Sequence, residues 1–268
     1  MEKNCYDTAQ PPIRKDILNA IRIKPAWSKS LDDILDEVLK VKNTEKVFPR
    51  RIHVWSYAAA ILIPVLLVCH FYTVTKETAK GEHAVVQLPD HSTVTLNAES
   101  KISYKPCVWF ISRKINLSGE ACLEVRSGKN FTVHSGGNSV KVLGTTFNVY
   151  ARPGVYRVTC LTGRIEVRAG GESVVLHSNM QAVFHEPKLS VNTDVASATV
   201  TGWIQGKFVF VKTPLHEVIA EIERQYNIKI TRNFNPDYLY SGNFSKIESP
   251  EEILEVIGTP FDITFSIE

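Results

Sequence analysis

The longest apolar run in the chain, SYAAAILIPVLLVCHFY at 56–72, carries no charged residue. Extended back to Ile52 it reaches about 20 residues, the length that a helix needs to cross the hydrocarbon layer of a bilayer. A buried core helix is the alternative, but no other segment of this chain is comparably apolar. The pattern therefore predicts one transmembrane helix over 52–72, in which Pro64 is tolerated.

The segment before this run, 1–51, predicts two short amphipathic helices, the second beginning at a capping box of Ser30 and Asp33. Their apolar positions are Ile17 and Ile21 in the first helix and Leu31, Ile34, Leu35, Val38 and Leu39 in the second. So short a segment cannot bury these residues by itself, so we expect it to lie on the membrane surface or to fold onto a partner.

The charges beside the apolar run predict its orientation. Arg50 and Arg51 precede it, and about 11 basic and 8 acidic residues lie in 1–51. Because positive charge is retained on the cytoplasmic side, we expect a single-pass protein of the inner membrane with a cytoplasmic N-terminus and a periplasmic C-terminus.

After a short linker at 73–80, the pattern changes to short alternating runs separated by turn residues. STVTL, FNVY and RIEVR are examples, and clusters such as SGGN and AGGE separate them. This spacing predicts an all-β domain over 81–186. A polar linker at 187–202 follows, and 203–268 reads strand, helix, strand, strand, helix, strand, which predicts a small α+β module of the split βαβ type.

The sequence also predicts where the two helices of this module begin and where the second one ends. Thr213 is expected to cap the first helix, with Pro214 at its first position. Ser249 and Glu252 predict a capping box for the second helix, and Gly258 predicts its end. The fold class is therefore a membrane-anchored multidomain protein: cytoplasmic helices, one transmembrane helix, a periplasmic β domain and a C-terminal α+β module.

Composition agrees with this organisation and argues against several functions. The chain has 268 residues, a net charge of +3 and 44% hydrophobic residues. Charges after the apolar run nearly balance, which argues against binding of nucleic acid. The five cysteines show no CxxC spacing, so no metal site is expected; Cys122 and Cys160 fit core thiols, and one disulfide stays open.

Nothing in the sequence predicts an enzyme or a bound cofactor. The histidines never form HExxH, and no serine nucleophile elbow, P-loop or GxGxxG occurs. Glu221 and Glu223 are interpreted as the solvated face of a helix rather than as a catalytic pair.

Five segments in order resemble the FecR family of single-pass anti-sigma factors. They are GEHAVVQLPDHSTVTLNAESKISY, RKINLSGEACLEV, FTVHSGGNSVKVLGTTFNVYA, VTCLTGRIEV and VVLHSNMQAVF. Residues 203–268 likewise resemble the C-terminal module of FecR-like proteins, itself similar to the short domain of secretins and TonB-linked receptors. Family members usually have Gly at the position of His91 and often at that of Asn179, where Asn tolerates positive φ.

The resemblance implies that the inner segment holds an extracytoplasmic-function sigma factor and that the outer part senses a TonB-dependent outer-membrane transducer. The residues expected to bind sigma are Ile17, Ile21, Leu31, Ile34, Leu35, Val38 and Leu39. Those expected to bind the transducer, by backbone pairing at an open strand edge, are Phe208, Val209, Phe210 and Val211.

Two alternatives stay open from the sequence. The edge at 208–211 could instead be covered by the β domain or by a helix. The chain could also be a membrane-anchored envelope scaffold or a glycan-binding protein that has lost sigma binding, with exposed aromatics such as Trp109 at its surface. Trp109 and Phe110 are equally expected as core or domain-contact residues.

Overall fold

The computed structural model describes residues 29–42, 51–231, 234–235, 238–246 and 249–268, and the side chains of all of these except 41–42 and 51–56. The chain forms two compact units, 1–59 and 60–268. The helix predicted around Ile17 and Ile21 lies outside the described residues.

The first described helix, α1, spans Leu31–Lys42. The Ser30 backbone N–H donates to Asp33 Oδ2 at 3.2 Å, and the Asp33 N–H donates to Ser30 Oγ at 3.2 Å. These reciprocal bonds satisfy two backbone donors that the helix start would otherwise leave free, so the predicted capping box is confirmed.

A second helix, α2, spans Arg51–Phe71 and contains Pro64. It coincides closely with the apolar run at 52–72. Within the described part of the chain, no helix is both long and apolar enough to cross a membrane.

Thirteen strands form the β domain, all within the described residues. They are β1 (Val74–Thr78), β2 (Ala84–Gln87), β3 (Thr93–Leu96), β4 (Ser100–Tyr104), β5 (Arg113–Glu124), β6 (Phe131–Ser135), β7 (Asn138–Val142), β8 (Thr146–Arg152), β9 (Val155–Thr162), β10 (Arg164–Ala169), β11 (Glu172–His177), β12 (Met180–His185) and β13 (Lys188–Asn192). The predicted all-β domain is confirmed. Its strands extend beyond 81–186, because β1 occupies the predicted linker at 73–80 and β13 begins the one at 187–202.

β5 is the longest strand, and it belongs to two sheets. Its first half pairs with β4 and, in parallel, with β6; its second half pairs with β3 and β8. The change occurs at Gly119, whose φ is +97° and where a Cβ would lie 2.7 Å from the Ser100 Cα. Both the dihedral and the close approach require glycine, so this residue sets the corner between the sheets.

One sheet contains β1, β4, the first half of β5, β6, β7, β10 and β11; the other contains β2, β3, the second half of β5, β8, β9, β12 and β13. The two sheets share one apolar core. Its largest fully buried side chains are Leu96, Ile102, Ile115, Leu123, Phe131, Phe147, Ile165 and Leu176. Each contributes about 1.5–3 kcal/mol of hydrophobic stabilisation relative to an exposed position, before the entropy of ordering is subtracted.

Trp109 belongs to this core. It is 2% exposed and packs edge-to-face against Tyr104 and Phe131, with ring centroids 5.6 and 5.8 Å apart. Of the two alternatives that the sequence left open for Trp109, a core residue is confirmed and an exposed aromatic is not.

The two positions where family members carry glycine keep the glycine conformation. His91 has φ +63° and Asn179 has φ +66°. The Asp90 carboxylate holds the first turn by accepting from the Ser92 N–H at 3.0 Å and from Arg113 Nε at 2.6 Å. The side chain of Asp90 thus supports a left-handed residue that lacks the freedom of glycine.

The C-terminal module contains a short helix α3 (Ser197–Thr201), β14 (Lys207–Pro214), α4 (Leu215–Tyr226), β15 (Leu239–Ser245) and α5 (Pro250–Gly258). β14 and β15 form a two-stranded antiparallel sheet. The other two predicted strands are reduced to a single antiparallel bridge between Ile230 and Ile267. The predicted α+β class is confirmed, with a smaller sheet than the sequence pattern suggested.

The helix ends in this module differ in part from the prediction. Pro214, not Thr213, occupies the N-cap of α4 and makes no capping side-chain bond. The capping box of Ser249 and Glu252 on α5 is confirmed. Gly258 ends α5 with ordinary helical dihedrals, and it is needed because a Cβ there would lie 2.1 Å from the Ile263 carbonyl oxygen.

Candidate protein-interaction sites

The first candidate site is the apolar row on α1. Leu31 is 78% exposed, Leu35 is 50% exposed and Ile34 is half-buried. Val38 and Leu39 continue the row, each more than half exposed. A row of this kind on one helix face is typical of a helix that binds in an apolar groove of another protein.

These five residues are the described part of the predicted sigma-binding set. The two remaining members, Ile17 and Ile21, lie outside the described residues. The opposite face of α1 is charged, and Lys29 pairs with Glu37 at 2.7 Å. Both side chains of this ion pair are exposed, so it contributes little to the stability of the helix. α1 therefore has one apolar face and one charged, solvated face.

The second candidate site is β14, which carries all four residues predicted to bind the transducer. Phe208 is buried and stacks on Phe244 with centroids 5.0 Å apart, and Phe210 is half-buried. Val209 and Val211 alternate with them and are 37% and 68% exposed. Within the described residues β14 pairs only with β15, so its other edge keeps unpaired backbone groups.

The whole of β14 lines a cleft of about 620 Å³ between the C-terminal module and the β domain. The far wall comes from β9, β12 and the chain after β13, and includes Arg157, Thr159 and Gln181. Glu120, Asn148 and Tyr150 lie at the same cleft. The β domain and the short helix α3 thus face β14 across this cleft, and both the open edge and the covered edge stay predictions.

A buried hydrogen-bond network at the base of the cleft joins the two domains. On the β domain, Asn97 Nδ2 donates to Glu120 Oε2 at 2.7 Å, and Asn148 Nδ2 donates to Glu120 Oε1 at 2.8 Å. On α4, Arg224 Nη2 donates to Glu221 Oε2 at 2.7 Å.

Gln225 and Asn97 connect the two halves of this network. Gln225 Nε2 donates to Asn97 Oδ1 at 2.7 Å and to Glu221 Oε1 at 2.8 Å. Asn97 Nδ2 also lies 3.5 Å from Glu221 Oε1. All of the side chains in this network are buried, so water does not reach these hydrogen bonds. Breaking one of them would leave a buried polar group without a partner.

The two carboxyl groups have opposite pKa shifts. Burial raises the pKa of Glu120, and the negative charge of Glu221 raises it further. Burial opposes ionisation of Glu221 as well, but the guanidinium groups of Arg224 and Arg152 outweigh it and hold the pKa of Glu221 below its ordinary value. The site therefore keeps one ionised carboxylate against arginine and disfavours a second charge beside it.

Further contacts hold the module in place around this network. Arg157 on β9 pairs with Glu217 on α4 at 3.1 Å. The Gly81 N–H donates to the Arg224 carbonyl at 2.7 Å, and Lys246 Nζ donates to the Gly81 carbonyl at 2.9 Å. Apolar packing adds to them, because Cys122 of β5 lies in the core of the C-terminal module.

Sequence reasoning missed this junction. Glu221 and Glu223 are each 7% exposed, so their interpretation as a solvated helix face is wrong. Glu221 pairs with Arg224, and Glu223 Oε1 accepts from the Ile230 N–H at 2.9 Å. The polar residues at 221, 224 and 225 recur at helical spacing, but an ordinary solvated helix face has the same pattern, so this spacing does not indicate burial.

The chemistry of the described residues is that of binding surfaces. Cys122 and Cys160 are buried thiols, as predicted. No group of three or more His, Cys, Asp and Glu residues in the described part of the chain is arranged to hold a metal ion.

Comparison with known proteins identifies the family. The FecR protein family matches residues 74–166, and the FecR C-terminal family matches 207–268. No curated protein matches the chain significantly. The chain is similar to a proposed anti-sigma factor from Parabacteroides distasonis ATCC 8503, known from crystal structures at 2.50 and 1.65 Å resolution.

The 2.50 Å structure is 30% identical, with a TM-score of 0.68, and the match covers 74% of this chain and 95% of the other. The 1.65 Å structure is 29% identical, with a TM-score of 0.67, and the match covers 73% and 98%. The chain belongs to the FecR family of anti-sigma factors, a regulatory rather than an enzymatic class, and the family implies a sigma factor as partner.

The junction predicts that the two glutamates differ in their effect on stability. Glu221→Gln removes the charge opposite Arg224 and leaves a buried guanidinium without its counter-charge, so we expect a loss of about 3–5 kcal/mol in the free energy of unfolding. Glu120→Gln, the comparison variant, keeps the buried charge pair but puts an amide N–H where Glu120 accepts from Asn97 or Asn148, so we expect a smaller loss of about 1–3 kcal/mol. Urea unfolding of the full chain measures both.

The pH dependence provides a separate check with a defined sign. The pKa of folded Glu221 is lowered, so its stabilisation is present above the unfolded pKa and is lost as the pH falls through the folded pKa. The defect of Glu221→Gln should therefore shrink in acid. The pKa of folded Glu120 is raised, so its contribution falls as the pH rises from the unfolded to the folded pKa, and Glu120→Gln should remove that fall. Equal defects at every pH would contradict this assignment.

Proposed function

We propose that this chain holds an extracytoplasmic-function sigma factor through the apolar row on α1. The observation that carries the proposal is the exposure of Leu31, Leu35, Val38 and Leu39 on one face of a capped helix. Burying one such leucine in a partner's groove contributes about 1.5–3 kcal/mol, so a few of them are enough for a specific contact.

We also propose that α2 anchors the protein in the inner membrane, with the N-terminus in the cytoplasm and 73–268 in the periplasm. The support is the uncharged run at 56–72 and the exposure of large apolar side chains on successive turns of α2, such as Ile61, Leu66 and Phe71. A helix that is apolar all round needs lipid or a large core to cover it. Arg50 and Arg51 favour the cytoplasm for the preceding segment.

The outer partner in this proposal is the periplasmic signalling domain of a TonB-dependent transducer, which adds a strand to the open edge of β14. The cleft beside β14 gives such a strand room, and the exposed Val209 and Val211 give it apolar contacts. Backbone pairing joins two domains without a catalytic group or a metal ion.

A scaffold or glycan-binding role is the second candidate, and its main support is gone. Trp109, one aromatic residue on which it relied, lies in the core of the β domain, whereas the neighbouring Phe110 is 82% exposed. The family match favours regulation of a sigma factor over this role.

The proposed topology can be tested with enzyme fusions. Alkaline phosphatase fused after Glu268 should be active, because it folds only where it can form its disulfides, outside the cytoplasm. The matched fusion after Lys42, before the apolar run, should be inactive. An inactive fusion at Glu268 together with an active cytosolic reporter at the same position would overturn the topology.

The sigma contact can be tested at the centre of the row. Leu35→Asp places a charge in the proposed interface and should weaken binding to the cognate sigma factor at least about 30-fold, corresponding to about 2 kcal/mol. Lys40→Asp adds negative charge on the opposite face of the same helix and should change binding less than threefold, about 0.6 kcal/mol. Co-purification and sigma-dependent transcription are the measurements. Unchanged results for Leu35→Asp would place sigma elsewhere.

The transducer contact can be tested on β14. Val209→Pro removes a backbone donor from this strand, and Val211→Asp puts a charge beside its open edge without changing the backbone; both should weaken binding of the signalling domain. Val175→Pro, on the remote edge strand β11, is the matched control. Calorimetry with the full chain in detergent measures the affinity, and circular dichroism checks folding. Unaltered affinity for both β14 variants would place the contact on the β domain instead.

A further inference from the structure

Strand pairing brings the end of α2 next to the turn that follows β4. β1 and β4 are antiparallel, and Val74 lies opposite Tyr104 at the end of the ladder. Cys69 stands shortly before Val74 in the chain, and Cys107 shortly after Tyr104. Because antiparallel strands leave these continuations at the same end of the ladder, the fold brings together the last turn of α2 and the turn after β4, and each of them carries one cysteine.

The side chains meet there. The Cys107 thiol interacts with the Cys69 thiol, and both cysteines are free, with Cys107 exposed and Cys69 half-buried. The hydrogen bond with Cys69 is the largest of the causes that raise the pKa of Cys107. The remaining described cysteines, Cys122 and Cys160, are buried, and burial raises their pKa values to about 12 and about 11.

The turn that carries Cys107 has a fixed position. It is a single 3₁₀ turn, Pro106–Val108, followed by the buried Trp109. On the other side, Cys69 lies in the last turn of α2, where the Tyr72 N–H still donates to the Val68 carbonyl at 2.8 Å. A disulfide needs its sulfurs about 2.05 Å apart, so the two free thiols at this end of the ladder must approach each other to form one.

We propose that Cys69 and Cys107 are a redox pair whose disulfide fastens the end of α2 to the β domain. The oxidant is a low-molecular-weight disulfide. The Cys107 thiolate attacks it, forms a mixed disulfide and releases one thiol; the Cys69 thiolate then attacks the Cys107 sulfur and releases the second thiol. Two protein thiols are oxidised, one small disulfide is reduced, and the two thiol protons pass to the released thiols.

This inference depends neither on sigma binding nor on transducer binding. It rests on the proposed topology, which places the pair outside the cytoplasm, where thiols meet an oxidant. Oxidation would make the last turn of α2 and the turn at 106–108 a single covalent unit, whereas the reduced pair leaves them joined by non-covalent contacts alone.

Oxidised glutathione provides the test, applied to the full chain in detergent. Cys5→Ser in every variant prevents cross-linking through that cysteine. After oxidation, alkylation under denaturing conditions and digestion, we expect a peptide that joins Cys69 to Cys107, about 2 Da lighter than the sum of the two reduced peptides. Cys69→Ser and Cys107→Ser should abolish it, and Cys160→Ser should leave it unchanged. Mixed disulfides at both positions without the joined peptide would overturn the proposal.

A second measurement tests the contact in the reduced protein. Because the hydrogen bond with Cys69 raises the pKa of Cys107, Cys69→Ala should increase the thiolate fraction and speed the alkylation of Cys107 at neutral pH. Cys69→Ser, which keeps a hydrogen-bonding group, should accelerate it less. Equal alkylation rates in wild type and Cys69→Ala would show that the thiols do not meet and would overturn the pairing.

Discussion

The ion pair between Glu221 and Arg224 is buried where the C-terminal module meets the β domain, and the site geometry depends on it. Glu221 keeps its charge because guanidinium groups surround it, and that charge in turn disfavours ionisation of Glu120. Buried pairs of this kind contribute little net stability compared with apolar packing. A misplaced module, however, would leave a buried charge without its partner, which is costly. The network thus favours one docking position, and Glu120, Asn148 and Glu221 of this network line the same cleft as β14.

The fold was predictable where local pattern and final environment agree. Alternation of apolar and polar residues identified the β domain, and the Ser30–Asp33 and Ser249–Glu252 boxes identified two helix starts. The pattern could not show that β5 serves two sheets, because this depends on pairings between distant segments. It also overstated the strand content near the C-terminus, where the chain makes a single bridge instead of two full strands.

The candidate sites were predictable to a lesser degree. The apolar row on α1 follows from helical spacing alone, and its exposure agrees with the need for a partner. For the charged residues of α4 the prediction was wrong. Glu221 is a residue type that usually lies on a solvated helix face, yet it is buried, because Asn97 and Gln225 meet beside it only when the two domains dock. Local sequence contains no direct signal for a polar group that a distant domain will satisfy.

The connection between α2 and the β domain is short enough to transmit a movement. α2 ends at Phe71 and β1 begins at Val74, so only two residues lie between them. β1 pairs with β4 along its whole length, and β4 pairs with β5, whose second half carries Glu120 at the junction. The connection from α2 to β1 is two residues long, and each later step is a backbone ladder or a buried hydrogen bond. The end of α2 and the C-terminal module are therefore connected through packed structure, which is the physical condition for coupling between them.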